Sequence, residues 1–140
     1  MILPFVSECG RHLIAAEIKR ECLVSVVIPV RNEADYLRSA LEAFARQIDR
    51  RKKPLDANLF EIIIFANNCR DESAAIARRW KKNNDSLNVH VIEADLPPKQ
   101  SDIGFVRRLL MNEAERRLRR SRNKGGVIVT TDGDTCVAPD

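Results

Sequence analysis

LVSVVIPVRNEADYLRSALEAF, residues 23–44, changes its period at Arg31, and that change sets the fold. Residues 23–30 are a near-continuous apolar run rich in Val and Ile, as suits a strand covered on both faces. Beyond it, Leu37, Ala40, Leu41, Phe44, Ala45 and Ile48 recur at the spacing of one helix face. A strand running into an amphipathic helix is the first half of a β-α-β unit, and the rest of the chain repeats the pattern. FEIIIFA (60–66), LNVHVIEA (87–94) and GVIVTT (126–131) are three further strands. The second and fourth are near-continuous, as expected of strands buried on both faces; the third alternates, which places it nearer an edge.

Helical patterns fill the intervals. Asp71 or Ser73 can cap a helix through about Asn83, with Ile76, Ala77 and Trp80 turned inward. Ile103, Val106, Leu110, Ala114 and Leu118 form a longer stripe. Arg116, Arg117, Arg119, Arg120 and Arg122 read as its solvated face. The stretches 46–60 and 94–102 are loops, the latter broken by Pro97 and Pro98. The order β-α-β-α-β-α-β predicts an α/β fold: an open, mostly parallel sheet with helices on both faces. Residues 1–22 read as an N-terminal extension with a short amphipathic helix over Ser7–Arg20, and 23–140 as one α/β unit.

Bulk properties narrow the function classes. The chain has 140 residues, a domain's length, with 44% apolar and 31% charged residues, the balance of a folded protein. Its net charge of +4 suits an anionic small partner without demanding nucleic acid. Cys9, Cys22, Cys69 and Cys136 are scattered, with no C-x-x-C pair and no His at ligand spacing, so neither zinc nor a disulfide framework is expected. Reduced thiols point to the cytoplasm. No apolar run reaches the roughly 20 residues that span a bilayer, and the N-terminus lacks the basic region of a signal peptide.

In an open parallel sheet, ligands bind beyond the carboxyl ends of the strands. There the chain places VRNEAD, NNCRDES, DLPPKQSDIG and DGDTC, three of them rich in carboxylates or amides. Asp132 and Asp134, two apart in an extended tip, point to one side, and Gly133 between them permits a close backbone approach. Such acids repel unless a cation lies between them, and Mg²⁺ or Mn²⁺ shared with phosphates is the natural partner. The plainer alternative is a D-G turn closing a strand. Asn32 reads as a helix N-cap, which leaves Glu33 free for a second role. Asn67 and Asn68 offer amides to a base edge or ribose, or simply form a turn. Gly104, Arg107 and Arg108 open the third helix. Arginines at that end oppose the helix dipole, and a bound diphosphate would resolve the conflict. No G-x-G-x-x-G and no Walker lysine motif is present, so any phosphate is held by a metal and basic side chains instead.

Taken together, VSVVIPVRNEADYLRSAL, EIIIFANNCRDES, the Gly104-x-x-Arg107-Arg108 helix start and TTDGDTCVAPD make residues 23–140 resemble the N-terminal part of a family 2 glycosyltransferase of the GT-A fold. The resemblance implies transfer of a sugar from a nucleotide-diphosphate donor, such as a UDP- or GDP-sugar, to an unknown acceptor hydroxyl. It implies that Pro29, Val30 and Glu33 hold the nucleoside. It also implies that Asp132 and Asp134 form a D-x-D motif, Asp134 carrying most of the metal contact and Asp132 lying nearer the ribose. The chain departs from the family at Ala66, where many relatives carry an aspartate that accepts the uracil N–H; Asn67 follows it. The resemblance further implies a fold truncated after the fourth strand, without the family's acidic general base: Glu113, Glu115 and Asp140 match no such position. The uncovered sheet edge then predicts self-association. Two rivals remain at this stage. One is a non-catalytic nucleotide-sugar-binding fragment or subunit. The other is a nucleic-acid binder using RRLRRSRNK, disfavoured because 5% aromatics leaves little for base stacking.

Overall fold

The computed structural model describes residues 12–139. In chain order these form β1 (Val24–Val30), α1 (Ala34–Ala45), β2 (Phe60–Asn67), α2 (Ser73–Asn83), β3 (Val89–Ala94), a 3-10 turn (Pro98–Gln100), α3 (Ile103–Leu118) and β4 (Val127–Thr130). The four strands make one sheet, ordered β3-β2-β1-β4 and parallel throughout. β1 and β2 pair along the whole of β1, from Val24 opposite Phe60 to Val30 opposite Ala66. β4 pairs with β1 only from Val24 to Val27.

Strand alternation sorts the core into two layers. Val26, Ile28, Val30, Ile62 and Ile64 face α1 and α2, where Leu37, Leu41, Phe44, Ala77 and Trp80 cover them. Val27, Ile63, Phe65 and Ile92 face α3 and meet Val106, Leu110 and Ala114. Each such fully buried large side chain stabilises the fold by about 1.5–3 kcal/mol. The period-2 strands and period-3.6 helices thus lock together only in this layered order. β3 lies at one edge, as its alternation predicts.

Six expectations are corrected. Residues 12–20 form no helix, and the remainder of the expected Ser7–Arg20 helix lies outside the described residues, as does Cys9. The segment is a strap along α3. Ile14 N–H donates to Glu113 Oε1 at 3.3 Å, and Arg117 Nη1 donates to the Ala16 carbonyl at 2.6 Å. Tertiary partners take the backbone groups a helix would have paired. Second, Arg117 is no solvated residue: it is 2% exposed, paired with the equally buried Glu61. Third, α1 stops at Ala45, and Ile48 instead forms an antiparallel bridge with Pro54. Fourth, β4 is not covered on both faces: Ile128 packs on the α3 side, while Val127 and Val129, on the opposite face, are exposed. The last two concern Asn32 and the Asp132–Asp134 tip and belong to the site.

Candidate functional site

From β1 the chain steps outward to β2 and β3, then α3 carries it back to β4 on the far side of β1. Strand order therefore reverses between β1 and β4, and the carboxyl ends at such a reversal flank a natural crevice. Glu33 leaves the β1 end, and Asp132, Gly133 and Asp134 leave the β4 end. Gly133 is buried against Glu33: a Cβ built there would stand 1.9 Å from Glu33 Oε2 and 3.1 Å from Val30 Cγ2. Only a residue without a side chain lets the acidic tip lie so close to β1.

The electrostatics follow from this contact. Burial above all, then the nearby carboxylates of Asp134 and Asp132 and a smaller push from Asp71, together raise the Glu33 carboxyl to about 7, against a backbone hydrogen bond at Arg31 that works the other way. Arg107, from the first turns of α3, meets Asp132 in an ion pair between Nη2 and Oδ1. The tip is the D-G turn of the plainer alternative rather than an extended segment, with Thr135 N–H donating to the Asp132 carbonyl at 3.2 Å; Asp134 is exposed, with only a long contact of 3.4 Å from the Thr135 hydroxyl.

Beside the acids lies a small pocket of about 120 Å³, lined by Pro29, Val30, Glu33, Asn67, Ile103 and Val106 among others. Asn67 is 3% exposed, and its Nδ2 donates to the Ser101 carbonyl at 2.9 Å. That bond fixes the amide orientation and leaves Oδ1 as a buried acceptor with no partner among the described residues. Glu33 Oε2 and Arg107 Nε are in the same condition. Buried polar atoms are nearly always paired, so these three unpaired atoms single out this crevice among the described residues.

The remaining residues singled out by sequence have other partners. Asn32 is not a helix cap. It sits in the left-handed region at φ 55°, and its Oδ1 accepts the Arg70 N–H at 2.7 Å. The N-terminus of α1 is capped instead from the β2–α2 loop, where Ser73 Oγ accepts Glu33 N–H at 2.8 Å and Asp71 Oδ2 accepts Ala34 N–H at 3.0 Å. Asn68, also left-handed at φ 49°, exchanges two hydrogen bonds with the Leu96 backbone, at 3.0 and 3.1 Å, tying the β2 and β3 exits together. Gly104 is exposed in the first turn of α3, which Asp102 caps by accepting Phe105 N–H at 3.0 Å. Arg108 lies over the Phe105 ring, 5.2 Å from its centroid.

Sequence reasoning missed Ser101 and Arg31. Ser101 acts through its backbone carbonyl, which no residue type announces, and accepts from both Asn67 and Arg31 Nη1, the latter at 3.4 Å. Arg31, the first charged residue after the β1 run, carried the one available signal.

Among the described residues no group of three or more His, Cys, Asp or Glu forms a metal cage, and no helix is long and apolar enough to cross a membrane.

Solved structures share this fold. The chain superposes on the Staphylococcus aureus TarS 1–349 structure in complex with UDP-GlcNAc with a TM-score of 0.60 at 18% identity, over 83% of this chain and 28% of that one. It matches the mannosyltransferase PcManGT from Pyrobaculum calidifontis, in complex with GDP-Man and Mn²⁺, with a TM-score of 0.56 at 20% identity, over 89% of this chain and 31% of that one. The chain thus spans about a third or less of the length of either. No curated protein sequence matches it. The α/β sheet is that of the GT-A fold. The model of the family described as "Glycosyl transferase family 2" matches residues 25–95, half of the chain, which therefore belongs to that family.

Proposed function

We propose that the chain supplies the donor-binding part of a glycosyltransferase that takes a sugar from a nucleotide-diphosphate sugar. The observation that carries this reading is the convergence of Glu33, Asp132 and Asp134 where the strand order reverses, beside a pocket that holds unpaired buried polar atoms. A crevice of about 120 Å³ is smaller than the 300–1,000 Å³ of whole-ligand sites. It accommodates one ring, and the rest of the ligand extends outward over the acids. Pro29 and Val30 offer apolar surface to a base, and Asn67 Oδ1 offers an acceptor to a base N–H.

A divalent cation fits the residues at the β4 tip. Mg²⁺ and Mn²⁺ are held through one or two carboxylates together with substrate phosphates, so a full protein cage is not required. Asp134 and Asp132 would hold it; their charges add to the rise that burial imposes on the Glu33 carboxyl, and a cation would relieve that part of it. When bound, the ion supplies Lewis-acid stabilisation of the charge that grows on the departing diphosphate. Arg107, and Arg31 at the pocket rim, add positive charge on the same side. Asn32 and Asn68 shape the loops beside the pocket, and the first turn of α3, which contains Gly104, borders it through Ile103 and Val106; Arg108, one turn further on, would add positive charge at that end of the helix.

Calorimetric titration with UDP and GDP, with and without Mn²⁺, tests the reading. Binding that requires Mn²⁺ and falls at least tenfold in Asp134→Ala is expected. Nucleotide binding indifferent to both would overturn it.

A further inference from the structure

We infer that Arg107 occupies Asp132 when the site is empty, so that metal entry requires the arginine to leave and the diphosphate then receives it. The inference rests on the donor-binding role proposed above. Arg107 Nη2 is bonded to Asp132 Oδ1. That oxygen belongs to one of the two carboxylates that flank Gly133 at the β4 tip, beside Glu33, so the guanidinium cancels charge on an acid a cation would use. The pair is half-open to water, with Arg107 and Asp132 side chains 40% and 46% exposed, and an open pair exchanges partners readily. Arg107 Nε, by contrast, is buried without an acceptor among the described residues. The guanidinium is therefore only partly satisfied by Asp132, and a planar fork of this kind is completed by a bidentate phosphate. Its place in the first turns of α3 adds the helix's positive end to the same spot.

Two opposed consequences follow. Metal and nucleotide bind synergistically, because each ligand takes one half of the Arg107–Asp132 pair. Removing Arg107 frees Asp132 for the metal and deprives the diphosphate of a donor. A purely structural role cannot produce opposite shifts in the two affinities.

The test is Mn²⁺ binding, read by the electron paramagnetic resonance of free Mn²⁺, on the wild type and Arg107→Gln, each with and without UDP or GDP. Arg107→Gln is expected to bind Mn²⁺ alone about two- to fivefold more tightly than the wild type. Nucleotide should improve its Mn²⁺ affinity less than it does in the wild type, and nucleotide affinity at saturating Mn²⁺ should fall. Arg107→Lys, which keeps the charge but lacks the planar fork, should hold Mn²⁺ affinity near the wild-type value while losing part of the synergy with nucleotide. Equal or weaker Mn²⁺ binding by Arg107→Gln, with nucleotide-dependent Mn²⁺ binding intact in the wild type, overturns this inference and leaves the donor-binding role standing. Absence of Mn²⁺ binding to the wild type even with nucleotide overturns both. A melting curve of each variant confirms that the comparison is between folded proteins.

Discussion

Gly133 shows how one residue couples the two halves of the crevice. A methyl group there meets Glu33 Oε2, Glu33 Cδ and Val30 Cγ2 together. Gly133→Ala should displace Glu33 or lift the acidic tip, lowering Mn²⁺-dependent nucleotide affinity more than tenfold while costing about 1–3 kcal/mol in a urea melt. The double variant Gly133→Ala with Glu33→Ala should recover most of that stability, because it vacates the space the methyl needs. No recovery would mean that Val30, not Glu33, sets the limit. The sequence located Gly133 through its flanking aspartates, but the reason for a glycine is a contact with a residue a hundred positions earlier.

Among the elements, α1 depends on the loop that opens α2. Asp71 accepts Ala34 N–H through Oδ2 and Ser73 N–H through Oδ1, so one carboxylate serves two helix starts. Slight desolvation acts to raise its pKa, but hydrogen bonds from Ser73 and Ala34 outweigh it and lower the value. Asp71→Ala should cost about 1–2 kcal/mol per helix end, measured by urea unfolding. The variant should also lose nucleotide affinity, since Glu33 N–H is anchored by the neighbouring Ser73 hydroxyl. Loss of stability without loss of affinity would separate the caps from the site. The sequence marked Asp71 as a cap of its own helix. Its second duty is a contact between loops that one-dimensional spacing cannot show.

On the scale of the whole molecule, a buried ionic network joins the sheet, α3 and the N-terminal strap. Glu61, 1% exposed in β2, accepts from Ser25 Oγ at 2.6 Å and from Arg117 Nη2 at 2.8 Å. Arg117 in turn reaches the Ala16 carbonyl and sits 3.0 Å from His90 Nε2. Desolvation acts to raise the Glu61 pKa, but hydrogen bonds from His90, Arg117 and Ser25 prevail and hold it down at about 2, against 4.5 in an unstructured chain. A depressed carboxyl contributes stability that is fully present above pH 4.5 and is lost as pH falls through 2. Stability should therefore decline with acid across that window, and Glu61→Gln should flatten the decline. Arg117→Met leaves an unpaired buried carboxylate and should cost about 3–5 kcal/mol at neutral pH, whereas adding Glu61→Leu should restore much of it. Unaltered melts in Arg117→Met would refute the network's role. By itself the sequence determined the order and type of the elements, the parallel sheet and the acids at the β4 tip, because strand and helix periods and turn residues are local properties. Tertiary structure alone decided that Arg117 is buried, that residues 12–20 form a strap rather than a helix, that Asn32 and Asn68 bind backbone, and that Arg107 holds Asp132. Each of those depends on which distant group offers a charge or a hydrogen bond, and such partners come within reach only when the sheet closes.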